Sequence, residues 1–185
     1  MLEEVKGFDF HEFYLIYPRS VVLVGVGGAR PNLMPVAWHT PLSFKPPLYG
    51  VSVSPKRFTY GLILKEKHFS VNFLAVEKAE LFEKTGFTSG KDVDKFGQFG
   101  IEHFPGALGA PILSDAYAAL SCRLVEELKL GDHSLFVGEV VAVYRAPGSW
   151  EPYADAEVLA RGVNPTLYLG KGVYDTLSGQ RLKLR

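Results

Sequence analysis

Short β segments separated by glycine and proline recur along most of this chain, and that punctuation restricts its fold more than any other feature. Val21 to Gly25 reads as a strand, and Gly27-Gly28 with Pro31-Asn32 turns the chain into the next. Met34 to Pro41, Tyr49 to Ser54 and Phe69 to Phe73 follow as strands. Tyr117 to Leu128 and Ser134 to Tyr144 are longer, and Gly131-Asp132 between them makes the pair a hairpin. Alternation from Ser121 to Glu126 gives the first of these one polar face. Helical spacing is confined to Thr59–Lys67, which can start on a Thr59 cap, to amphipathic Val76–Lys84, and to Asp155–Ala160. Many strands with so few helices must hide their sheet edges, so the expected fold is mainly β, a closed or nearly closed β-barrel. Periodicity alone leaves a β-sandwich as the alternative.

The bulk properties narrow the function. A chain of 185 residues, 47% hydrophobic and 22% charged, suits one globular domain over residues 1–185. Twenty basic residues balance twenty acidic ones, so no net positive field recommends nucleic acid as a partner. Cys122 is the only cysteine, which excludes an internal disulfide and a thiolate zinc cluster; inside SCRLVEEL it reads as a small buried apolar residue. MLEEVKGFDF is acidic and lacks an apolar run, and no stretch approaches the roughly 20 apolar residues of a membrane helix. A cytoplasmic location, away from membranes, is the expectation.

Chemistry concentrates between Asn32 and Thr59. Ser52, Ser54, Lys56, Arg57 and Thr59 close a strand and open a helix, where free N–H groups and the positive dipole end meet an anion. Arg57 offers a planar fork to phosphate oxygens and Lys56 a point charge. The same residues also suit a solvated basic turn. Upstream, Pro35-Val36-Ala37-Trp38-His39-Thr40-Pro41 suits either core packing or a flat conjugated ring, with Thr40 and Ser43 as hydroxyl donors. Pro46-Pro47 fixes φ twice and would hold the Leu42 to Lys45 loop in one shape. Other chemistries lack their motifs. His39, His68, His103 and His133 show no metal-ligand spacing, no GxSxG elbow is present, and Gly25-Val26-Gly27-Gly28 is not a dinucleotide fingerprint.

NLMPVAWHTPLSFKPPLYGVSVSPKRFT resembles the signature of the flavin reductase-like, FMN-binding split-barrel family, especially its flavoredoxin-type members. Further matches are Phe69 to Phe73, Ser89 to Phe96, Gly131 to Val140 and Leu167 to Gly170, so the resemblance spans nearly the whole chain. It implies a homodimer of split, Greek-key-like β-barrels that binds FMN near the subunit interface. By resemblance, Pro35, Val36, Ala37, Trp38, His39 and Thr40, with Ser43 and Phe44, line the isoalloxazine. Ser52, Ser54, Lys56, Arg57 and Thr59 take the ribityl chain and phosphate. The loop carrying Lys91, Lys95 and Phe96 closes over the cofactor, and His133 lies on the nicotinamide side as the candidate catalytic residue. Where many members have Thr after Met, this chain has Pro35, which has no N–H to offer; Val36 to Trp38 supply the nearest ones.

The implied activity is that of a flavin reductase. Hydride from NADH or NADPH reaches flavin N5, and electrons pass to free flavin, a monooxygenase partner or ferric iron. An FMN electron carrier without nicotinamide oxidation is the alternative, and a pyridoxal phosphate or haem barrel is a third.

Overall fold

A computed structural model describes residue 7 and residues 10–147 and 163–177. The expected helix at Asp155–Ala160 lies outside them. A 3-10 turn over Phe10–Ile16 precedes β1 (Arg19–Ser20), β2 (Val22–Val26), β3 (Asn32–Val36), β4 (His39–Phe44) and β5 (Pro47–Val53). After α1 (Phe58–Glu66) and β6 (His68–Phe73), a 3-10 turn at Val76–Lys78 runs into α2 (Ala79–Phe87), followed by α3 (Lys95–Phe99). The chain continues through β7 (His103–Pro105), β8 (Pro111–Leu113), β9 (Ala118–Leu130), β10 (His133–Arg145), β11 (Leu167–Gly170) and β12 (Val173–Asp175).

Seven strands form one antiparallel sheet in the order β3-β2-β6-β9-β10-β5-β4. Its outermost strands, β3 and β4, are consecutive in sequence, and only Ala37 and Trp38 separate them. That linker reaches at most about 10 Å. The two edges must therefore meet, and the sheet curls into a barrel. The seam is stitched where the Ser52 N–H donates to the Trp38 carbonyl at 2.8 Å. Bulges at Val125 of β9, opposite Val137-Gly138, at Val141 of β10 and at Leu42 of β4 supply the bending. A split barrel results, mainly β with a few short helices. The sandwich alternative fails because one sheet contributes both ends of the seam.

Alternation along the strands fills the barrel. Val22, Val24 and Val26 of β2 meet Val51 and Val53 of β5, Phe69 and Val71 of β6, and Phe136 of β10 in one buried cluster. The opposite faces of β2 and β6 are also covered, so both strands are buried along nearly their whole length. Leu23 packs outside the barrel with Leu33, Phe82, Phe96 and Leu113. Asn72 is paired in this outer layer: its Nδ2 donates to Leu23 O at 3.1 Å and its Oδ1 accepts from Leu113 N at 2.9 Å. Cys122 is buried as the sequence indicated, and burial pushes its thiol up to about 12.

Four local readings are corrected. Met34 to Pro41 is not one strand: it breaks at Ala37-Trp38 because its halves serve opposite edges of the sheet. Leu42 to Phe44 belong to β4 rather than to a loop, and the turn is confined to Lys45-Pro46. Thr59 does not cap α1. Arg57 holds the N-cap position, while Thr59 is buried and its hydroxyl accepts from Asn32 Nδ2 at 2.8 Å. Helix α2 also runs past Lys84 to Phe87. No helix among the described residues is long and apolar enough to cross a membrane.

Candidate functional site

The seam that closes the barrel also opens a cleft along the outer edge of β3. Lys95 Nζ donates to the Leu33 carbonyl at 2.6 Å, so the backbone groups of Leu33 point away from β2. Alternation turns Pro35 the same way, which is where a residue without an N–H can sit in a sheet. The cleft has a volume of about 410 Å³. Met34, Pro35, Val36, Ala37 and Trp38 form one wall; Phe82, Gly86 and Phe87 of α2 face them, with Tyr168 and Tyr174 alongside. Gly86 permits this approach, since a Cβ there would lie 3.0 Å from Pro35 Cγ.

Aromatic contacts fix the mouth. Trp38 Nε1 donates to the Tyr17 hydroxyl at 3.2 Å, and the Trp38 ring lies 5.4 Å from Phe13 and 5.0 Å from His133. His133 Nδ1 sits 2.8 Å from Asp132 Oδ1, and that contact holds the Asp132 carboxyl below its usual range. On the far wall the Tyr174 hydroxyl donates to Glu83 Oε1 at 2.5 Å, and burial, then Glu83, pushes the phenol up.

At one end the cleft changes character. Met34, Arg57, Gly86 and Phe87 also border a second hollow of about 260 Å³, lined further by Asn32, Lys56, Thr59, Thr85, Ser89 and Lys95. Lys56 and Arg57 are exposed and have no ion pair or side-chain hydrogen bond among the described residues. Helix α1 starts here with no side chain capping it, so its first N–H groups face outward. Asn32 is buried, and its Oδ1 has no partner among the described residues. Lys95 is buried as well. Its Nζ donates to Leu33 O and Thr85 O, both at 2.6 Å; burial and then Arg57 push its ammonium down to about 8. No acidic side chain among the described residues lines this corner. An apolar slot joined to a cationic, hydroxyl-bearing corner fits a flat ring with a phosphorylated tail.

The sequence-predicted residues divide accordingly. Pro35, Val36, Ala37, Trp38, Ser52, Ser54, Arg57 and His133 line the slot; Lys56, Thr59 and Lys95 join Arg57 in the corner. His39 points to the other side of the seam, its Nδ1 2.7 Å from the Tyr49 hydroxyl and its Nε2 3.1 Å from Ser20 O. Thr40 donates to Pro41 O there. Ser43 and Phe44 sit at the β4–β5 hairpin tip, where Phe44 is 96% exposed. Lys91 is exposed before α3, and Phe96 is buried in the outer core. Sequence reasoning missed Phe82, Gly86 and Phe87 of α2 and Tyr174 of β12. Only the match at Leu167 to Gly170 hinted that the C-terminal strands reach the cleft.

A family model described as a flavin reductase like domain matches residues 14–177. An FMN-binding protein from Thermus thermophilus, in a crystal structure with bound 1-cyclohex-2-enone, is 39% identical with a TM-score of 0.86, each chain covered to 100%. A flavoredoxin from Methanosarcina acetivorans is 29% identical with a TM-score of 0.83, covering 98% of this chain and 95% of that one. The reductase component of a 4-nitrophenol 4-monooxygenase/4-nitrocatechol 2-monooxygenase from Rhodococcus opacus is 36% identical over 110 residues, 60% of this chain and 56% of that protein.

Proposed function

Because the chain belongs to the flavin reductase-like domain family, we propose that it binds FMN in this cleft and oxidises NADH or NADPH there. The observation that carries the reading is the junction of an aromatic-walled slot with a corner of unpaired cations. Bound there, FMN would supply the redox chemistry, hydride acceptance and onward electron transfer. The protein's own part is placement and charge. Arg57 and Lys56 neutralise the phosphate, with the free N–H groups at the start of α1 adding to them. Ser52 and Ser54 offer hydroxyls to the ribityl chain between the two lobes.

Met34, Pro35 and Trp38 flank the ring. The N–H of Ala37 lies outside both strands and would be a donor where Pro35 has none. Trp38, fixed by Tyr17 and Phe13, holds one wall rigid against two stacked rings. His133, oriented by Asp132 at the mouth, steers the nicotinamide. Free flavin, a monooxygenase partner or ferric iron then accepts the electrons. The protein acts in the cytoplasm as a homodimer, one domain per subunit.

Anaerobic mixing of the yellow protein with NADH or NADPH tests this. Rapid bleaching of the flavin absorbance is expected; colourless protein that takes up no added FMN overturns the reading. The likeness to a flavoredoxin favours one second reading, an FMN electron carrier. Bleaching by another reduced protein, but by neither nicotinamide, would select it.

A further inference from the structure

Lys95 combines features seldom found together in a lysine. It is 3% exposed, it spans two separate elements, and it borders a hollow that contains no acid. An ammonium has three N–H donors. Two are spent on the carbonyls of Leu33 in β3 and Thr85 in α2. The third is left for the corner that Lys95 lines.

A second, independent feature points to the same place. Asn32 is 1% exposed; Nδ2 donates to the Thr59 hydroxyl, and Oδ1 is left without a partner among the described residues. Turning the carboxamide by 180° lets the Thr59 hydroxyl donate to Oδ1, and the orphaned position then becomes an N–H donor. Either orientation leaves one buried polar atom without a partner among the described residues, and the turned one suits an anion oxygen. Backbone packs close to it: a Cβ on Gly90 would lie 2.0 Å from Asn32 Oδ1.

We propose that Lys95 makes binding at this corner proton-linked, so that the protein holds a phosphate-bearing ligand tightly only while the Lys95 ammonium is charged. The proposal rests on the FMN reading for the identity of the ligand and goes beyond it in assigning the pH response to one buried residue. The charged groups around Lys95 are few. The turn before α1 brings Lys56 and Arg57, and β3 brings none. Helix α2 brings Glu83, engaged by Tyr174, and Lys84, paired with Glu80. The segment before α3 brings exposed Lys91 and Asp92, and Asp94, which accepts from Phe96 N; the His103 ring lies tilted against Phe96 with centroids 4.1 Å apart.

The sign follows from these neighbours. In the ligand-free protein, burial and Arg57 favour the neutral amine and bring Lys95 down to about 8. A phosphate dianion beside it favours the ammonium and raises that value in the complex. Affinity is then fully present below about pH 8 and declines as pH rises above it, about tenfold between pH 7 and pH 9. The phosphate ionises with a second pKa of about 6 and is dianionic throughout that range.

The test measures flavin affinity by fluorescence quenching at a series of pH values, with FMN and with riboflavin, which has the ring and no phosphate. A dissociation constant that rises about tenfold for FMN and stays level for riboflavin is expected. Lys95→Met should bind FMN more weakly at neutral pH with a level profile, and Lys95→Arg should keep the neutral-pH affinity and lose the slope. A level FMN profile in the parent protein, or an equal loss for riboflavin, overturns the proposal whether or not Lys95→Met folds. Failure of FMN to bind at neutral pH sinks the FMN reading instead.

Discussion

Arg57 stands exposed at the junction of slot and corner, without a carboxylate partner among the described residues, so it contributes little to holding the chain together. A charged hydrogen bond to phosphate contributes about 1.5–3 kcal/mol. Arg57→Ala should therefore weaken FMN retention by about ten- to a hundredfold while shifting the stability of the flavin-free protein by no more than about 0.5 kcal/mol. Equal losses in equilibrium dialysis and in thermal melts would make Arg57 a structural residue. His133 touches Trp38 at the mouth and lies outside the phosphate corner. For His133→Ala we expect unchanged FMN affinity and slower stopped-flow reduction by nicotinamide. An unaltered reduction rate would remove it from the reaction. The corner was legible at this scale because a strand end, Pro55 and two cations fall within a few consecutive residues. His39 and Thr40 were not, because the break at Ala37-Trp38 shifts the phase of the alternation and carries the chain to the other side of the seam.

Barrel closure decides what the elements can do. Strand β10 bends over β6 and β9 at Gly138, where a Cβ would lie 2.6 Å from Phe69 Cζ and 2.7 Å from Cys122 Cβ. Neither contact is the end of a flexible chain. Gly138→Ala should cost about 1–3 kcal/mol through overpacking, read as a lower urea midpoint at an unchanged slope. A variant as stable as the parent would show that the sheet can flatten there. Strands β2, β5, β6, β9 and β10 were readable because their own residues carry β-branched and aromatic runs. The far wall of the cleft was not. Phe87 comes from the last residue of α2 and Tyr174 from β12, and their approach to Pro35 depends on contacts between segments far apart in sequence. Helix α3 was hidden for another reason: at five residues it has too few turns for periodicity, and only the Asp94 cap announces it.

At the scale of the whole molecule, α2 and α3 pack beside the edge of β3, but another edge is left open. Strand β9 pairs with β6 only as far as Arg123, so from Val125 to Leu130 no strand of the described residues lies on its outer side. Val125 is 50% exposed there, Leu128 39% and Leu130 59%. An open edge of this length with apolar side chains invites pairing with another chain, and proteins that stay in solution cover such edges. A second copy of this chain is the occupant that the proposed homodimer supplies. Sedimentation at micromolar concentration should give twice the chain mass, and Val125→Lys combined with Leu128→Lys should shift it toward the monomer. A parent protein that sediments as a monomer would remove the dimer from the proposal. A double variant that remains dimeric would move the interface away from β9. Glu127 is anchored within its own subunit, its Oε1 accepting from both Tyr60 and Ser134. Two lysines on each copy would place long, solvated, charged side chains where a second strand has to approach the edge.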